Sequence, residues 1–430
     1  MSPGPIEIGT VAVREDAIFV IVSFEGPDPY SQAGGLGVRV TGLSQSLAAL
    51  GFETHVFFLG DPALPPEDRS SDGRLLLHRW AQWISRNCQH GVYDAEAAKA
   101  QDFARSLPSY LFDRIIVPAL REGRPPVLLF EEWQTVDTVC GMHSMLVDAG
   151  IRDRVSIAWN ANHCYGFERI DWNRLSAAAK LTTVSRHMRS ILRSCGADAR
   201  VIPNGIPSAA LARVPREGIS AVRSATANRP DVGVFFKMAR WAREKGWTQA
   251  LDAVARLRGG ERPLMLIARS GGPTGQGGEL QREAETRGLR TTTFDSELAF
   301  AAGLGDAVNA GSDVVNLTFG VSSSLARTLY AATDGVLANS ISEPFGLVGL
   351  EAMAAGGIAY TGGTGEDYAV GGRNAVVLET LDPDEIGSRW NEMASSPDAM
   401  ARLRRSARKT AQSYEWPAIT GLLIDALEAS

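Results

Sequence analysis

Apolar, β-rich runs recur along this 430-residue chain with helical patterns between them, and the series restarts once, past residue 230. Before the restart they are Ala17–Phe24, Thr54–Leu59, Val127–Phe130, Val155–Trp159 and Leu181–Val184. After it they are Val232–Phe236, Leu264–Ile267, Val314–Phe319, Gly335–Ala338 and Gly357–Tyr360. The runs are continuously apolar instead of alternating, which is the mark of parallel strands covered by helices on both faces. A chain this long exceeds what one core usually serves. Pro203, Pro207, Pro215 and Pro230 punctuate a stretch with no sustained apolar strand, after which the fresh series begins. The reading is α/β, with two Rossmann-like, doubly wound parallel-sheet domains facing across a cleft, where ligands collect at the carboxyl ends of the strands. The first domain covers 1–208 with a helical insertion over about 61–126, the second covers 209–412, and 413–430 form a helix returning toward the first.

Composition narrows the partners. The 43 Lys+Arg against 49 Asp+Glu leave a net charge of -6, so no global basic field draws nucleic acid, and any anion site must be local. The apolar runs are shorter than the ~20 residues of a bilayer span, and Met1–Glu15 lacks a signal-peptide apolar core. The expectation is a cytoplasmic protein with no integral membrane segment. Cys88, Cys140, Cys164 and Cys195 form no CxxC pair, so they are read as core thiols and not as a disulfide framework or zinc site. In the insertion, Trp80 and Trp83 are read as packing on the sheet, and Gly271–Gly278 is the most flexible-looking loop by composition. Only Lys99, Lys180, Lys237, Lys245 and Lys409 are lysines, so each is informative.

Three stretches carry candidate chemistry. Ala33-Gly34-Gly35-Leu36-Gly37 follows the first strand and opens a helical pattern running to Leu50, where backbone N–H groups and the helix dipole suit a phosphate. Arg240 and Lys245 leave a strand tip and enter a helix start, where a guanidinium fork and an ammonium together suit a diphosphate. Glu343 follows a strand, and Glu351 lies eight residues on, in an apolar helix that Gly346 starts. Such carboxylates accept hydrogen bonds from adjacent sugar or ribose hydroxyls.

The run Glu343–Glu351 resembles the E-x7-E motif of retaining GT-B glycosyltransferases, the glycogen- and starch-synthase-like superfamily with the family 4 type among its members. Further stretches resemble that family in the same order: Gly34–Gly37, Thr182-Thr183-Val184-Ser185, Val201–Ile206, Arg240 with Lys245-Gly246, and Thr361-Gly362-Gly363 with Glu366. Glu132-Trp133-Gln134-Thr135 is similar to the HDWQT segment of glycogen synthases, with Glu131-Glu132 standing for His-Asp. That departure keeps the tryptophan and leaves open whether the acceptor is a growing glucan. A first-domain histidine of the family falls at His163, with Asn160 and Asn162 as the alternative registers.

The resemblance implies metal-independent transfer of a sugar, with retention, from a nucleotide-diphosphate sugar to an acceptor hydroxyl, with no other cofactor. It assigns the chemistry to Glu343, His163, Arg240 and Lys245. The donor falls to Gly34, Gly35, Leu36, Arg240, Lys245, Phe345, Gly346, Leu347 and Glu351, and the acceptor side to Glu132, Trp133 and Asn162. The single DxD, Asp382-Pro383-Asp384, reads as a helix start and not a metal site. Alternatives are a sugar-nucleotide epimerase or a pyridoxal-dependent phosphorylase of the same fold, and a non-catalytic nucleotide-sugar sensor. A P-loop kinase is excluded because the chain has no Gly-Lys pair.

Overall fold

A computed structural model describes residues 13–88, 91–271 and 277–428. The chain divides into two compact units, residues 1–205 with 415–430, and residues 206–414. The sequence reading had put these divisions after residues 208 and 412.

The first unit is built on an eight-stranded sheet. Its strands are β1 (Ile18–Val22), β2 (Glu53–Leu59), β3 (Glu67–Arg69), β4 (Leu75–Trp80), β5 (Pro126–Glu131), β6 (Ser156–Ala161), β7 (Lys180–Thr183) and β8 (Arg200–Val201). Their spatial order is β3-β4-β2-β1-β5-β6-β7-β8, parallel except for β3 against β4. β1 is buried throughout and wholly apolar, and β5 is apolar up to its buried last residue, Glu131. Helix α1 (Gly35–Ala49) opens at the glycine cluster.

The insertion is not wholly helical, as the sequence reading had it. Leu75–Trp80 pairs parallel with β2, and Glu67–Arg69 folds back on it. The hairpin turn between them, Ser70 to Gly73, closes on an Asp72 carboxylate that accepts from Ser70 and Arg74. The rest is helical, chiefly α2 (Glu96–Leu111). Trp80 packs on Phe57 and Tyr110 and donates its indole N–H to Ser106, whereas Trp83 is 66% exposed.

The second unit has a seven-stranded sheet of β9 (Gly233–Ala239), β10 (Leu264–Ser270), β11 (Thr291–Phe294), β12 (Val314–Leu317), β13 (Gly335–Ala338), β14 (Ala359–Thr361) and β15 (Val376–Val377). All pairings are parallel, in the order β11-β12-β10-β9-β13-β14-β15. The order reverses direction beside β9, so the loops after β9 and β13 flank a switch point of the sheet. Helix α3 (Trp247–Leu257) follows β9, and α4 (Leu347–Ala355) follows β13. The final helix α5 (Trp416–Glu428) belongs to the first unit. Most of the glycine-rich loop Gly271–Gly278, residues 272–276, lies outside the described residues.

Candidate functional site

In the second unit the polypeptide leaves β9 at Ala239, makes a single turn of 3-10 helix over Arg243–Lys245 and enters α3. Gly246 caps that turn with φ +66°, and a Cβ there would collide with the Asn339 carbonyl, so only glycine suits the position. The turn aims Lys245 at the loop after β13, where its Nζ lies 2.6 Å from Glu343 Oε2, both side chains 18% exposed. The loop after β14 closes the other side. Glu343 N–H donates to Thr364 Oγ1 at 2.9 Å, and Thr364 N–H donates to Glu366 Oε2 at 3.2 Å. Burial, followed by the nearby Glu343 charge, pushes Glu366 up to about 7. Its Oε1 has no hydrogen-bond partner among the described residues. An ammonium, a paired carboxylate and an under-used carboxyl thus meet at the carboxyl ends of β9, β13 and β14.

Glu351 lies on the middle turn of α4 and accepts from the Tyr330 hydroxyl at 3.3 Å. Burial raises its carboxyl to about 7. Gly346 precedes α4, and the Tyr368 hydroxyl donates to its carbonyl. Of the sequence-predicted donor residues, the structure brings Lys245 and Glu343 together. It does not bring Arg240 to them, because Arg240 is 67% exposed and pairs with Glu244 at 2.7 Å. The Phe345 ring turns inward, packing at 5.8 Å on Tyr368 and 6.3 Å on Tyr414, so it offers a ligand only backbone. Leu347 starts α4, half-buried.

The first unit revises the glycine loop. The Ala33, Gly34 and Gly37 N–H groups all donate to one oxygen of Glu25, at 3.1, 2.9 and 2.9 Å, and Tyr93 holds the other oxygen at 2.6 Å. The anion expected in this nest is the chain's own carboxylate. The Gly34 N–H is therefore taken, while those of Gly35 and Leu36 open α1 without intrahelical acceptors.

The candidate acceptor residues also sort themselves. Glu132 is fully buried with φ +69°, a strained value for a side chain with a Cβ. Its Oε1 accepts the Asn162 N–H at 2.6 Å and the His163 N–H at 3.2 Å, and its Oε2 lies 3.2 Å from His163 Nδ1. Burial raises Glu132 well above the ordinary carboxyl range and lowers His163. Tyr165 N–H donates to His163 Nδ1 at 3.2 Å, so that nitrogen is an acceptor and the ring proton sits on Nε2. Glu132 and Asn162 are thus interior groups that shape the His163 loop, contrary to their assignment as acceptor contacts. Asn160 and Asn162 both donate to Glu131 Oε2, at 2.8 and 2.7 Å, and Arg39 holds the other oxygen at 3.0 Å. Of the three registers, only His163 is not turned into that network. Trp133 lies under Arg169, whose guanidinium is 4.5 Å from the ring. Cys164 is exposed, against its reading as a core thiol.

Sequence reasoning missed Glu25 and Asn339, and it counted Lys237 in the basic cluster without giving it a role. Glu25 and Lys237 each directly follow an apolar run.

Two open, largely parallel sheets, each carrying polar side chains at its strand ends, define a tandem Rossmann-like architecture. A family model described as Glycosyltransferase Family 4 matches residues 33–209, and one described as Glycosyl transferases group 1 matches residues 309–410. The D-inositol 3-phosphate glycosyltransferase 2 of Catenulispora acidiphila is 25% identical over 93% of this chain and 90% of its own. Among solved structures, the sucrose-phosphate synthase of Thermosynechococcus elongatus superposes with a TM-score of 0.63 at 18% identity, over 95% of this chain and 97% of that one. The catalytic domain of Arabidopsis thaliana starch synthase IV, bound to ADP and acarbose, gives 0.65 at 16% identity, over 96% and 99%. The two models and these relatives support a glycosyltransferase, and the structural neighbours give the chain the GT-B fold. No helix among its described residues is long and apolar enough to cross a membrane.

Proposed function

We propose that the protein is a retaining glycosyltransferase that moves a sugar from a nucleotide-diphosphate sugar to an acceptor hydroxyl without a metal ion. The observation that carries this reading is the Lys245–Glu343 contact at 2.6 Å beside Glu366, at the strand ends of the second unit. In the reaction the bond from the anomeric carbon to the diphosphate breaks, the acceptor oxygen bonds on the same face, and the acceptor proton leaves with the diphosphate. Negative charge grows on the leaving group, and Lys245 is the preorganised donor for it in the second unit, joined by Arg240 swinging from the surface. Glu343 and Glu366 suit sugar hydroxyls, Glu351 suits the ribose, and His163 Nε2–H suits a sugar oxygen. Trp133 lies on the acceptor side through its ring.

Metal independence draws support from the DxD. Asp382 caps the helix Pro383–Ala394 by accepting from Asp384 N–H at 3.0 Å, and Arg256 pairs with both carboxylates at 3.2 and 2.9 Å. These carboxylates are already engaged. A relative's name makes inositol 3-phosphate the first acceptor to assay. With UDP-glucose, ADP-glucose or GDP-glucose and EDTA present, the expected result is a product whose anomeric proton coupling matches the α-donor. An inverted product, or a strict need for manganese, contradicts the proposal.

A further inference from the structure

Lys237 interrupts the apolar strand β9 with 1% of its surface exposed. Its Nζ donates to Asn339 Oδ1 at 2.6 Å and to the Leu337 carbonyl at 3.3 Å, and lies 5.0 Å from the Trp247 ring centroid. The Asn339 amide donates onward to the Gly246 carbonyl at 3.1 Å. Ile341 N–H donates to the Glu244 carbonyl at 2.7 Å. The turn that carries Lys245 is therefore tied at both flanking residues to the segment after β13, and Lys237 sits at the root of one tie. Among the described residues no carboxylate touches Lys237: an amide oxygen, a carbonyl and an aromatic face replace its water. The charged groups bearing on it are Lys245, from the turn, and Glu343, from the loop after β13. Its neighbours Ala268 in β10, Trp247 in α3 and Asn339 after β13 are neutral.

We propose that Lys237 is a positioning residue for the donor site: through Asn339 it fixes the turn that presents Lys245, and its buried charge adds to the field holding a diphosphate there. This rests on the reading of Lys245 as the diphosphate-holding group. Burial, then repulsion from Lys245, pushes Lys237 down to about 7, with Glu343 opposing. Its proton therefore exchanges near neutrality. A bound diphosphate favours the charged form, so binding above that range takes up a proton, and affinity falls as the pH rises.

The test is calorimetry at pH 6.5 and 8.5, in HEPES and Tris, with whichever of UDP, ADP and GDP binds the wild type most tightly. Wild-type affinity is expected to fall by about tenfold between the two pH values, with proton uptake at the upper one. Lys237→Arg keeps the charge and holds the tighter affinity at both values. Lys237→Met binds at the weaker level at both. Because the nucleotide and the other titrating groups are common to all three proteins, the difference between them isolates Lys237. A Lys237→Arg variant that retains the wild-type fall, or a Lys237→Met variant with wild-type affinity throughout, overturns the inference. Should Lys237→Met fail to fold by circular dichroism, Lys237→Arg decides alone. Lys245→Ala separates the two layers. If it binds the nucleotide as the wild type does, or if none of the three nucleotides binds, the donor-site reading falls and takes Lys237 with it. If it binds weakly while the Lys237 variants match the wild type, only the role of Lys237 falls.

Discussion

Lys245→Ala lowers kcat/KM for sugar transfer by about 100-fold or more, with the unfolding midpoint near that of the wild type. The ammonium is 2.6 Å from Glu343 and only 18% exposed, so it acts on a neighbouring charge with little screening by water. A diphosphate gains charge as it leaves, and a fixed cation at that point stabilises the transition state more than the ground state. Removing one such preorganised donor typically costs about 2.7–4 kcal/mol of barrier. The loss should appear mainly in kcat, because the interaction strengthens as the bond breaks. The fold should survive, because the turn is held by Gly246 and by the Asn339 and Ile341 hydrogen bonds and not by the Lys245 side chain. Near-normal kcat/KM in a folded variant would remove Lys245 from the reaction.

Trp416→Ala costs about 3–5 kcal/mol of stability in the first unit, read as a lowered denaturant midpoint. Trp416 begins α5 and is 5% exposed. Its indole lies against Gly42 of α1 and against Gly205, and a Cβ at either glycine would overlap the ring. The two missing side chains make the slot that the ring fills. Along the same interface Thr420 Oγ1 donates to Ser46 Oγ at 2.9 Å. Truncation leaves a ring-sized cavity between elements that cannot collapse, and it loosens the helix that starts at the glycine loop. A loss below about 1 kcal/mol would show that α5 docks without this contact.

Where one physical signal dominated, the sequence was legible. All ten continuous apolar runs are strands, because a strand covered on both faces has no polar side to display. Gly35 and Gly346 mark helix starts as read. Short or edge elements escaped. Thr291–Phe294 has half-exposed threonines and no apolar run, and Leu75–Trp80 sat within a stretch whose helices set the pattern. The site was legible as residue types and not as pairings. Lys245 and Arg240 look equivalent in sequence, yet the single turn after β9 sends one toward Glu343 and the other to Glu244 on the surface. The glycine loop announces a nest for an anion, but Glu25, eight to twelve residues earlier, is the anion that fills it. Nothing in the spacing shows that Glu132 turns inward, because that depends on one strained φ at a strand end.

The most direct test of the donor site is the unfolding temperature of the wild type, Lys245→Ala and Glu351→Ala with UDP, ADP or GDP at millimolar concentration in EDTA. A ligand at 100 times its Kd adds about 2.7 kcal/mol to the native state. The expected result is one nucleotide that raises the wild-type midpoint by several degrees and shifts both variants far less. Equal shifts in all three proteins, or no shift with any nucleotide, would contradict the assignment of the donor to the second unit's strand ends.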